Sequence, residues 1–586
     1  MMSFKHFQND PALLVASALR SLERVNPAVA VNEKHKIVYL KQSKNPQVSV
    51  ISGGGSGHEP SFAGFVGDGF LSGAIAGSIF ASPSTEQIES CLMQHVDSSK
   101  GIMVIVMNYT GDVLHFGMAV EKVKARGVNV DMLVVGDDVG VGRARGGRIG
   151  RRGIAGTVLV QKIASASAAA GATLEEVSKV AALVASNLVS VGASLAHVHV
   201  PGRAPARDDF NASDEIELGM GIHNEEGFKR LGKGLPGLVK AMLAQLLDQN
   251  DKDRAYINIK ASESIVLLIN NLGGVSVLEL GCIVDEVCDQ LHINYAIQPV
   301  RILVGTFMSS LNGPGFSISL LRVVDTHFEI GRSILELLDA PVKATGWPAV
   351  AIETIAVHNG GQNANSKEEY EAEPQRSNLK LDTSLAAKVL KSGLQRLIAA
   401  EAEITKYDTM VGDGDCGLCL RGGAKALLAH VDQGGLSQDA VQTVCDIARI
   451  VESSMDGTSG ALYAIFLNSL ARSLSVQTKA QEILVTTEIW AHALQEALES
   501  LGKYTPAQPG DRTLVDALQP FVQTMIATAD FPKAVVAAKR GCDSTKGMQA
   551  SLGRSVYVGG DDWMKCPDPG AYGLVELLLG MSLALN

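Results

Sequence analysis

A glycine-rich segment that ends in a histidine constrains this chain more than any other feature. Residues 52–60 read SGGGSGHEP and directly follow the apolar run 48–51, which predicts a buried strand. Ligands of α/β proteins bind at the carboxyl ends of parallel strands, so His58 is expected in a binding site. The segment has neither the Gly-Lys-Ser/Thr of a P-loop nor the third glycine of a dinucleotide fingerprint. The glycines predict a turn between this strand and His58, and an ordinary tight turn without function is the alternative interpretation.

Two further segments of the same kind follow. Residues 101–107 (GIMVIVM) predict a second buried strand, which leads into the segment NYTGD and so to Asp112. Because strand ends at one edge of a parallel sheet converge, Asp112 and His58 are expected to share a pocket. In residues 217–224 (ELGMGIHN) glycines flank His223, and such a segment favours a loop over a helix interior. One carboxylate and two imidazoles therefore lie on three predicted loops.

Length and charge bound the class of protein. The chain has 586 residues, a formal net charge of -11 and a sequence pI near 5.7. At ~100–200 residues per domain, about three structural units are expected. The acidic balance argues against a nucleic-acid surface. The arginines of one glycine-rich stretch are interpreted as a solvated loop: Arg143, Arg145, Arg148, Arg151 and Arg152.

The sequence predicts a cytoplasmic protein. Its apolar runs stay below the ~18 residues of a membrane helix, and its first residues lack a secretory pattern. Eight cysteines without a dense framework fit reduced thiols. Cys416 and Cys419 form a C-x-x-C, which elsewhere serves redox chemistry or zinc binding, but a second pair at zinc-ribbon spacing is lacking. Those two uses are therefore disfavoured.

The character of the sequence changes in its second half. Short apolar strands first alternate with helical patterns, which is typical of an α/β protein, and helical patterns prevail later. Residues 358–378 are polar and aperiodic. We therefore predict an α/β domain over residues 1–355, a polar linker over 356–379 and a helical domain over 380–586.

A second candidate site lies in the helical half. Residues 407–417 (YDTMVGDGDCG) place Asp408, Asp413 and Asp415 at a glycine-rich turn. Three like charges repel unless a hard cation neutralises them, and carboxylate oxygens suit Mg²⁺. An EF-hand is the competing interpretation, but its register of aspartates and final glutamate is absent. A surface turn without function is the remaining alternative.

The three glycine-flanked segments resemble the signature segments of the substrate-binding half of dihydroxyacetone kinases. GGGSGHEP, NYTGD and GMGIH occur in that order, and the likeness extends over residues 1–335. The resemblance implies an α/β half with two subdomains. It implies that His223 forms a covalent hemiaminal with the substrate carbonyl, that Asp112 is the base toward the attacking hydroxyl and that His58 hydrogen-bonds the substrate. Further substrate-binding residues would be Gly55, Ser56, Gly57 and Met107.

The acidic turn resembles the nucleotide-binding half of the same family, a fold of helices arranged as a barrel. The resemblance covers residues 380–586 and implies that the three aspartates hold two Mg²⁺ ions, which clamp the phosphates of ATP. It also assigns a nucleotide site to Cys416, Gly417, Leu418, Cys419, Thr458, Ser459, Thr513, Leu514, Arg554, Asp568, Pro569 and Gly570.

The resemblance implies ATP-dependent phosphorylation of dihydroxyacetone, and also of D-glyceraldehyde, by a homodimer that serves glycerol metabolism. Glycerol itself has no carbonyl that His223 could capture. Because both halves lie on one chain, ATP is the expected direct donor. Two alternatives stay open: cleavage of FAD to cyclic FMN at the nucleotide half, and a ketone-binding regulator without efficient transfer. Four residues depart from the family pattern: Met107, Leu418, Cys419 and Asp456.

Overall fold

The computed structural model describes residues 6–41, 46–203, 215–232, 234–324, 331–348, 377–477, 481–552 and 562–585. The chain divides into two compact units, residues 1–362 and 363–586. The first unit is α/β, as predicted, and the second is built mainly from helices. Within the described stretches, every helix is too short or too polar to pass through a bilayer.

A six-stranded sheet occupies the first part of the first unit. Its strands are β1 (Val29–Asn32), β2 (Ile37–Leu40), β3 (Ser49–Ser56), β4 (Gly73–Ile79), β5 (Ile102–Met107) and β6 (Val130–Val135), in the order β1-β2-β4-β3-β5-β6. β3 pairs in parallel with β4 and β5, and β5 pairs in parallel with β6, whereas β1 and β2 are antiparallel. The carboxyl ends of β3 and β5 therefore lie side by side, as the sequence predicts.

A second six-stranded sheet follows. Its strands are β7 (Leu188–Ser194), β8 (Glu215–Leu218), β9 (Lys229–Gly232), β10 (Ile265–Asn271), β11 (Arg301–Gly305) and β12 (Gly315–Arg322), in the order β11-β10-β12-β7-β8-β9. Only β10 and β11 pair in parallel within this described sheet. The first unit therefore contains two separate sheets.

Nine α-helices accompany these strands in the described part of the first unit: α1 (Pro11–Val25), α2 (Thr85–Ser90), α3 (Thr110–Lys124), α4 (Arg143–Gly146), α5 (Thr157–Ala169), α6 (Leu174–Ser186), α7 (Leu235–Leu247), α8 (Val277–Tyr295) and α9 (Ile334–Asp339). α5 is buried along almost its whole length. Its aliphatic side chains share one core with residues such as Val50 of β3 and Leu268 of β10. Each fully buried aliphatic side chain contributes about 1.5–3 kcal/mol, so this shared core fastens both sheets to α5.

The glycine-rich segment is the end of a strand, and the predicted turn is shorter than expected. β3 continues through Ser56, and the turn begins at Gly57, which has φ +103. A Cβ on Gly53 would lie 2.4 Å from the carbonyl oxygen of Ile75 and 2.9 Å from the ring of Phe116. The first glycines therefore allow close packing of β3 on β4 and α3, and Gly57 supplies the left-handed backbone.

The described part of the second unit contains nine more helices: α10 (Thr383–Ala399), α11 (Glu401–Val411), α12 (Cys416–Asp432), α13 (Ala440–Ser454), α14 (Gly457–Val476), α15 (Thr487–Leu501), α16 (Val515–Thr528), α17 (Phe531–Ser544) and α18 (Pro569–Leu585). A small parallel strand pair, β13 (Leu379–Lys380) and β14 (Ile483–Leu484), accompanies them. The helical periodicity of the sequence predicted helices after residue 380, and the structure contains them.

The helices of the second unit pack in a closed order. α10 packs on α12, and each helix from α12 to α17 packs on the next helix along the chain. α18 then returns to α10. These two helices run antiparallel: Arg396 pairs with Glu576 at 2.7 Å, and a Cβ on Gly580 would lie 2.7 Å from the Cα of Gly393. Two glycines facing each other let the first and last helices approach closely.

Candidate functional site

His58 follows β3 directly and is fully buried. Its Nδ1 donates a hydrogen bond to the carbonyl oxygen of Ser309 at 2.9 Å, and its Nε2 lies 3.0 Å from Nε2 of His223. The ring stacks on Phe80 with centroids 5.1 Å apart. Burial, and then the neighbouring His223, lower the pKa of His58 to about 3. This imidazole is held rigidly and favours the neutral state.

Asp112 lies in the first turn of α3, just after β5, and is buried. Burial raises its pKa to about 6, against the lowering effects of a hydrogen bond from Ser82 and the charge of His223. A Cβ on Gly54 would lie 3.6 Å from its Oδ2, so the carboxyl group faces the end of β3. Among the described residues its Oδ1 has no hydrogen-bond partner. Such a carboxylate is suited to accept a proton from a substrate hydroxyl.

His223 follows β8 and brings a group from the second sheet to the same place. Its backbone N–H donates to Oε2 of Glu225 at 2.9 Å, and its Nδ1 donates to Oε1 at 3.0 Å. The rings of Phe80 and Tyr109 stand almost perpendicular to it, with centroids 5.1 and 4.7 Å away. The structure thus brings together the two histidines and the aspartate that three sequence segments predicted.

The loop that carries His223 is anchored on both sides. Asn224, at φ 65, accepts a hydrogen bond from the backbone N–H of Val198 at 2.9 Å and donates to its carbonyl at 3.0 Å. Ser310 donates to the carbonyl of Ile222 at 2.6 Å. These contacts fix the position of the imidazole before any ligand arrives.

Arg152 corrects the interpretation of the arginine-rich stretch as a solvated loop. Its Nε donates to Oδ2 of Asp138 at 2.9 Å. One terminal nitrogen, Nη2, donates both to the same oxygen at 2.7 Å and to the carbonyl of Gly219 at 2.9 Å. Its side chain is 15% exposed. The adjacent buried pair Asp137 and Asp138 after β6 was the overlooked signal, because buried carboxylates require a cation or several donors. Arg143, Arg145 and Arg148 are exposed, as expected.

The remaining residues predicted for the substrate site lie at the ends of β3 and β5. Ser56 donates its hydroxyl to the carbonyl of Gly77 at 2.9 Å. A Cβ on Gly55 would lie 2.7 Å from a backbone nitrogen. Met107 is buried and packs on Gly153. A Cβ added to Gly153 would lie 2.7 Å from the Cβ of Met107. These residues support the strand ends, and their contact with a substrate stays a prediction.

The acidic turn of the second unit brings Asp408, Asp413 and Asp415 together. Asp408 belongs to α11, and the other two lie in the loop before α12, where Gly414 has φ +81. One oxygen of each carboxylate lies within 4.8 Å of the others. One oxygen of Asp408 also accepts the backbone N–H of Cys416 at 3.0 Å. Oxygen donors at this spacing fit a hard divalent cation such as Mg²⁺.

A cavity of about 290 Å³ adjoins the three aspartates. Four helices begin at its wall: α12, α14, α16 and α18. Helix N-termini present unpaired N–H groups and partial positive charge, which favour phosphate groups. Of the predicted nucleotide site, the lining includes Cys416, Cys419, Thr458, Ser459, Thr513, Leu514, Asp568, Pro569 and Gly570.

Two residues of the predicted nucleotide site, Gly417 and Leu418, are placed differently. Gly417 faces α11, since a Cβ there would lie 2.2 Å from the hydroxyl of Thr405. Leu418 is 51% exposed. Neither is among the described lining of the cavity. Arg554 lies outside the described residues.

The cavity also has lining residues that the sequence did not assign to it. Tyr463 and Arg512 are two of them. Arg512 has φ 60 and is almost fully buried, and it donates to the carbonyl of Cys566 at 3.1 Å. Asp456, which departs from the family pattern, lines the same cavity. A buried arginine next to acidic groups balances part of their charge.

The two cysteines of the C-x-x-C lie in the cavity wall as protonated thiols. Burial raises the pKa of Cys416 to about 12, and burial also raises that of Cys419. Cys419 donates to the carbonyl of Asp456 at 3.1 Å. Thiols that keep their proton are weak nucleophiles and weak metal ligands. The geometry therefore favours a packing role.

Comparisons with known proteins match both units. Residues 20–346 match the Dak1 domain, and residues 410–583 match the DAK2 domain. Dihydroxyacetone kinase 1 of Saccharomyces cerevisiae is 43% identical, with 100% of both chains covered. The triokinase/FMN cyclase of Homo sapiens is 35% identical, with 98% of each chain covered. The crystal structure of the dihydroxyacetone kinase from C. freundii in complex with AMP-PNP and Mg²⁺ aligns with a TM-score of 0.60 and 29% identity, and covers 99% of this chain and 100% of the other.

Proposed function

This chain belongs to the dihydroxyacetone kinase family, and we propose that it transfers the γ-phosphoryl group of ATP to dihydroxyacetone, with D-glyceraldehyde as a further acceptor. One observation carries the proposal: a single chain holds both the group of His58, His223 and Asp112 and an acidic cluster at four helix N-termini. The first suits a small ketone, and the second suits the phosphates of a nucleotide. Phosphoryl transfer requires both an acceptor site and a donor site.

The carbonyl group selects the acceptor in this proposal. Nε2 of His223 attacks the carbonyl carbon and forms a hemiaminal. A polyol such as glycerol has no carbonyl group and cannot form this adduct. The anchored loop and the perpendicular rings of Phe80 and Tyr109 hold the imidazole for this attack. Covalent capture therefore sets the specificity for ketoses and aldoses of three carbons.

Asp112 performs the proton transfer of the kinase step. Its carboxylate takes the proton of the substrate hydroxyl that attacks the γ-phosphorus. A positioned base of this kind contributes about 10²–10⁴-fold to a rate. Its unpartnered oxygen supports this assignment, because a carboxylate engaged on all sides has no lone pair to offer.

The nucleotide half holds the donor. Asp408, Asp413 and Asp415 would bind two Mg²⁺ ions, which supply charge neutralisation for the phosphates when bound. The N-termini of the four helices offer backbone N–H groups to the same phosphates. The resemblance to a relative solved with AMP-PNP and Mg²⁺ supports this donor set.

Three architectural proposals accompany this function. The closed order of the helices in the second unit supports a helical barrel. We place the functional domains at residues 1–355 and 380–586, with the linker at 356–379, and the two sheets correspond to two subdomains of the first. The active species is a homodimer, which light scattering of the purified protein would test.

The direct test is release of ADP by the full-length protein with Mg²⁺, ATP and dihydroxyacetone, with glycerol as the acceptor control. We expect turnover with the ketone and none with glycerol. Ketone binding without release of ADP would reject the kinase assignment and favour the regulator. Equal turnover with glycerol would reject capture through the carbonyl.

Cleavage of FAD to cyclic FMN is a second candidate activity. The 35% identity to the human triokinase/FMN cyclase over nearly the full length favours it. Incubation with FAD and Mn²⁺, followed by chromatography of the flavin products, would detect cyclic FMN. Loss of this product in the Asp413→Asn variant would assign it to the acidic cluster.

A further inference from the structure

The hydrogen bonds of His58 and His223 require three ring N–H groups. The carbonyl oxygen of Ser309 and the carboxylate of Glu225 can only accept, so Nδ1 of each histidine carries a hydrogen. The two Nε2 atoms lie 3.0 Å apart, and this contact needs one more hydrogen between them. Two neutral imidazoles hold two ring hydrogens. The pair therefore carries one positive charge, which lies on His223 because burial lowers the pKa of His58 to about 3.

Glu225 is the anion placed against that charge. Each of its two oxygens accepts a hydrogen bond from His223, one from the ring and one from the backbone. Burial alone would raise the pKa of Glu225, but the hydrogen bonds and charge of His223, together with the charge of Arg152, lower it to about 2. The carboxylate is therefore ionised throughout the neutral range.

Arg152 approaches this carboxylate from the other side. A Cβ on Gly221 would lie 2.1 Å from Oε2 of Glu225 and 2.5 Å from a terminal nitrogen of Arg152, so the glycine leaves room for both groups. The guanidinium is itself fixed by Asp138 at 2.7 Å. A continuous line of alternating charges thus ends at the ring of His223.

We propose that Glu225 is a positioning residue that selects the attacking nitrogen and serves as the counter-ion of the adduct. This inference rests on the proposed capture of the ketone by His223. Because Nδ1 keeps its hydrogen against Glu225, the lone pair available for attack is on Nε2. Neither the sequence motifs nor the roles implied by the family resemblance assigned this residue a function.

The proposed step balances in atoms and charge. The shared hydrogen resides on Nε2 of His223 and is donated to the neutral His58. When the ketone arrives, Nε2 of His58 takes this proton, and the lone pair freed on Nε2 of His223 forms the bond to the carbonyl carbon. The carbonyl π pair moves to oxygen, which takes the proton from His58 and becomes a hydroxyl group. His58 is then neutral again, and the ring of His223 carries Nδ1–H, a new N–C bond and the positive charge. Glu225 neutralises that imidazolium.

The test measures the adduct directly, without ATP. Intact mass spectrometry of the full-length protein, titrated with dihydroxyacetone, gives the ketone concentration at half-maximal adduct. We expect Glu225→Gln to raise this concentration at least about tenfold, because the counter-ion is lost while the shape is kept. Glu225→Asp keeps the charge and should fall between Gln and the wild type. Glu226→Gln, an exposed carboxylate on the same loop, is the matched control and should match the wild type.

A second readout reports the hydrogens themselves. In protein labelled with ¹⁵N-histidine and free of ketone, NMR should show the Nδ1–H of His223, identified by its absence in His223→Ala, and Glu225→Gln should lose the third hydrogen of the pair. Thermal unfolding of each variant checks its fold.

The outcomes separate this inference from the proposed function. A wild-type protein without adduct would reject the capture itself. Adduct in the wild type and undiminished adduct in Glu225→Gln would overturn the role of Glu225 and leave the capture standing. Adduct formation by Glu225→Gln that equals or exceeds that of Glu225→Asp would assign Glu225 to packing and would also overturn the inference, as would three retained hydrogens in Glu225→Gln.

Discussion

The sites of the two units manage charge in opposite ways. In the first unit, His58 is fully buried, and the positive charge of the histidine pair meets Glu225 and then Arg152 and Asp138. In the second unit, Asp413 and Asp415 are exposed and stand with Asp408 within 4.8 Å of each other. The first site is complete with its own side chains, whereas the second gathers negative charge that favours a cation.

Under the proposed function, this difference explains how each substrate is recognised. A small neutral ketone offers few contacts, so its site must be rigid and already balanced before binding. A nucleotide with its cation brings large charges of its own, so its site can stay open and unbalanced until it is filled. Damage to one site should therefore leave the chemistry of the other intact.

The largest expected effect is the loss of the proposed base. Asp112→Asn should lower kcat about a thousandfold, because the amide cannot accept the hydroxyl proton, while the ketone adduct and ATP binding remain. Initial rates of ADP release and intact mass spectrometry measure the two quantities. Glu121→Gln, an exposed change on the same helix, should leave kcat unaltered. A decrease smaller than tenfold in Asp112→Asn would mean that another group is the base.

The next effect is on the second site alone. Asp415→Asn should lower kcat/KM for MgATP about a hundredfold, because one charged oxygen ligand is lost, with no change in the adduct on His223. Asp432→Asn is the control, since its carboxylate forms only a surface pair with Lys391. Unchanged calorimetric binding of ATP and Mg²⁺ by Asp415→Asn would remove this residue from the metal site.

The pH dependence should reveal which unit limits the rate in acid. Asp112 acts as a base only when ionised, and its pKa is about 6, so kcat should fall about tenfold per unit as the pH decreases below 6. Rates at saturating substrates between pH 5 and 8 measure this acidic limb of the pH–rate profile. Burial also raises the pKa of Asp568 to about 6. A limb that persists in Asp112→Asn would therefore move the assignment to the second unit.

The smallest expected effect concerns Asp456, a residue that departs from the family pattern. This carboxylate lines the cavity, and a like charge about 4 Å away costs about 1 kcal/mol at the dielectric constant of water. Asp456→Asn should therefore lower KM for MgATP about fivefold, as steady-state kinetics would show. An increase in KM would instead indicate that Asp456 contributes to cation binding.

Sequence patterns predicted the parts of the fold and site that depend on local order. The apolar runs before His58 and Asp112 became β3 and β5, and the motifs led to the residues that meet in the first unit. Family membership, which the motifs indicated, is confirmed by the comparisons. The helical second half was also expected from its periodicity.

The residues that the sequence missed act through contacts between distant segments. Arg152 and Asp138 approach Glu225 only when two sheets and their loops come together, and no spacing in the chain encodes that meeting. Gly53 was assigned to a turn because glycine favours turns, whereas it lies in a strand packed tightly on its neighbour. Such close approaches depend on the partner surface and not on the segment itself.

The antiparallel contact of α10 and α18 has a consequence for how the second unit could have been acquired. The polypeptide enters and leaves this unit at the same place, because its first and last helices lie against each other. A module whose two ends meet can be joined to another gene, cut away from it or circularly permuted without changes to its interior. One covalent connection is therefore enough to attach this unit to another domain.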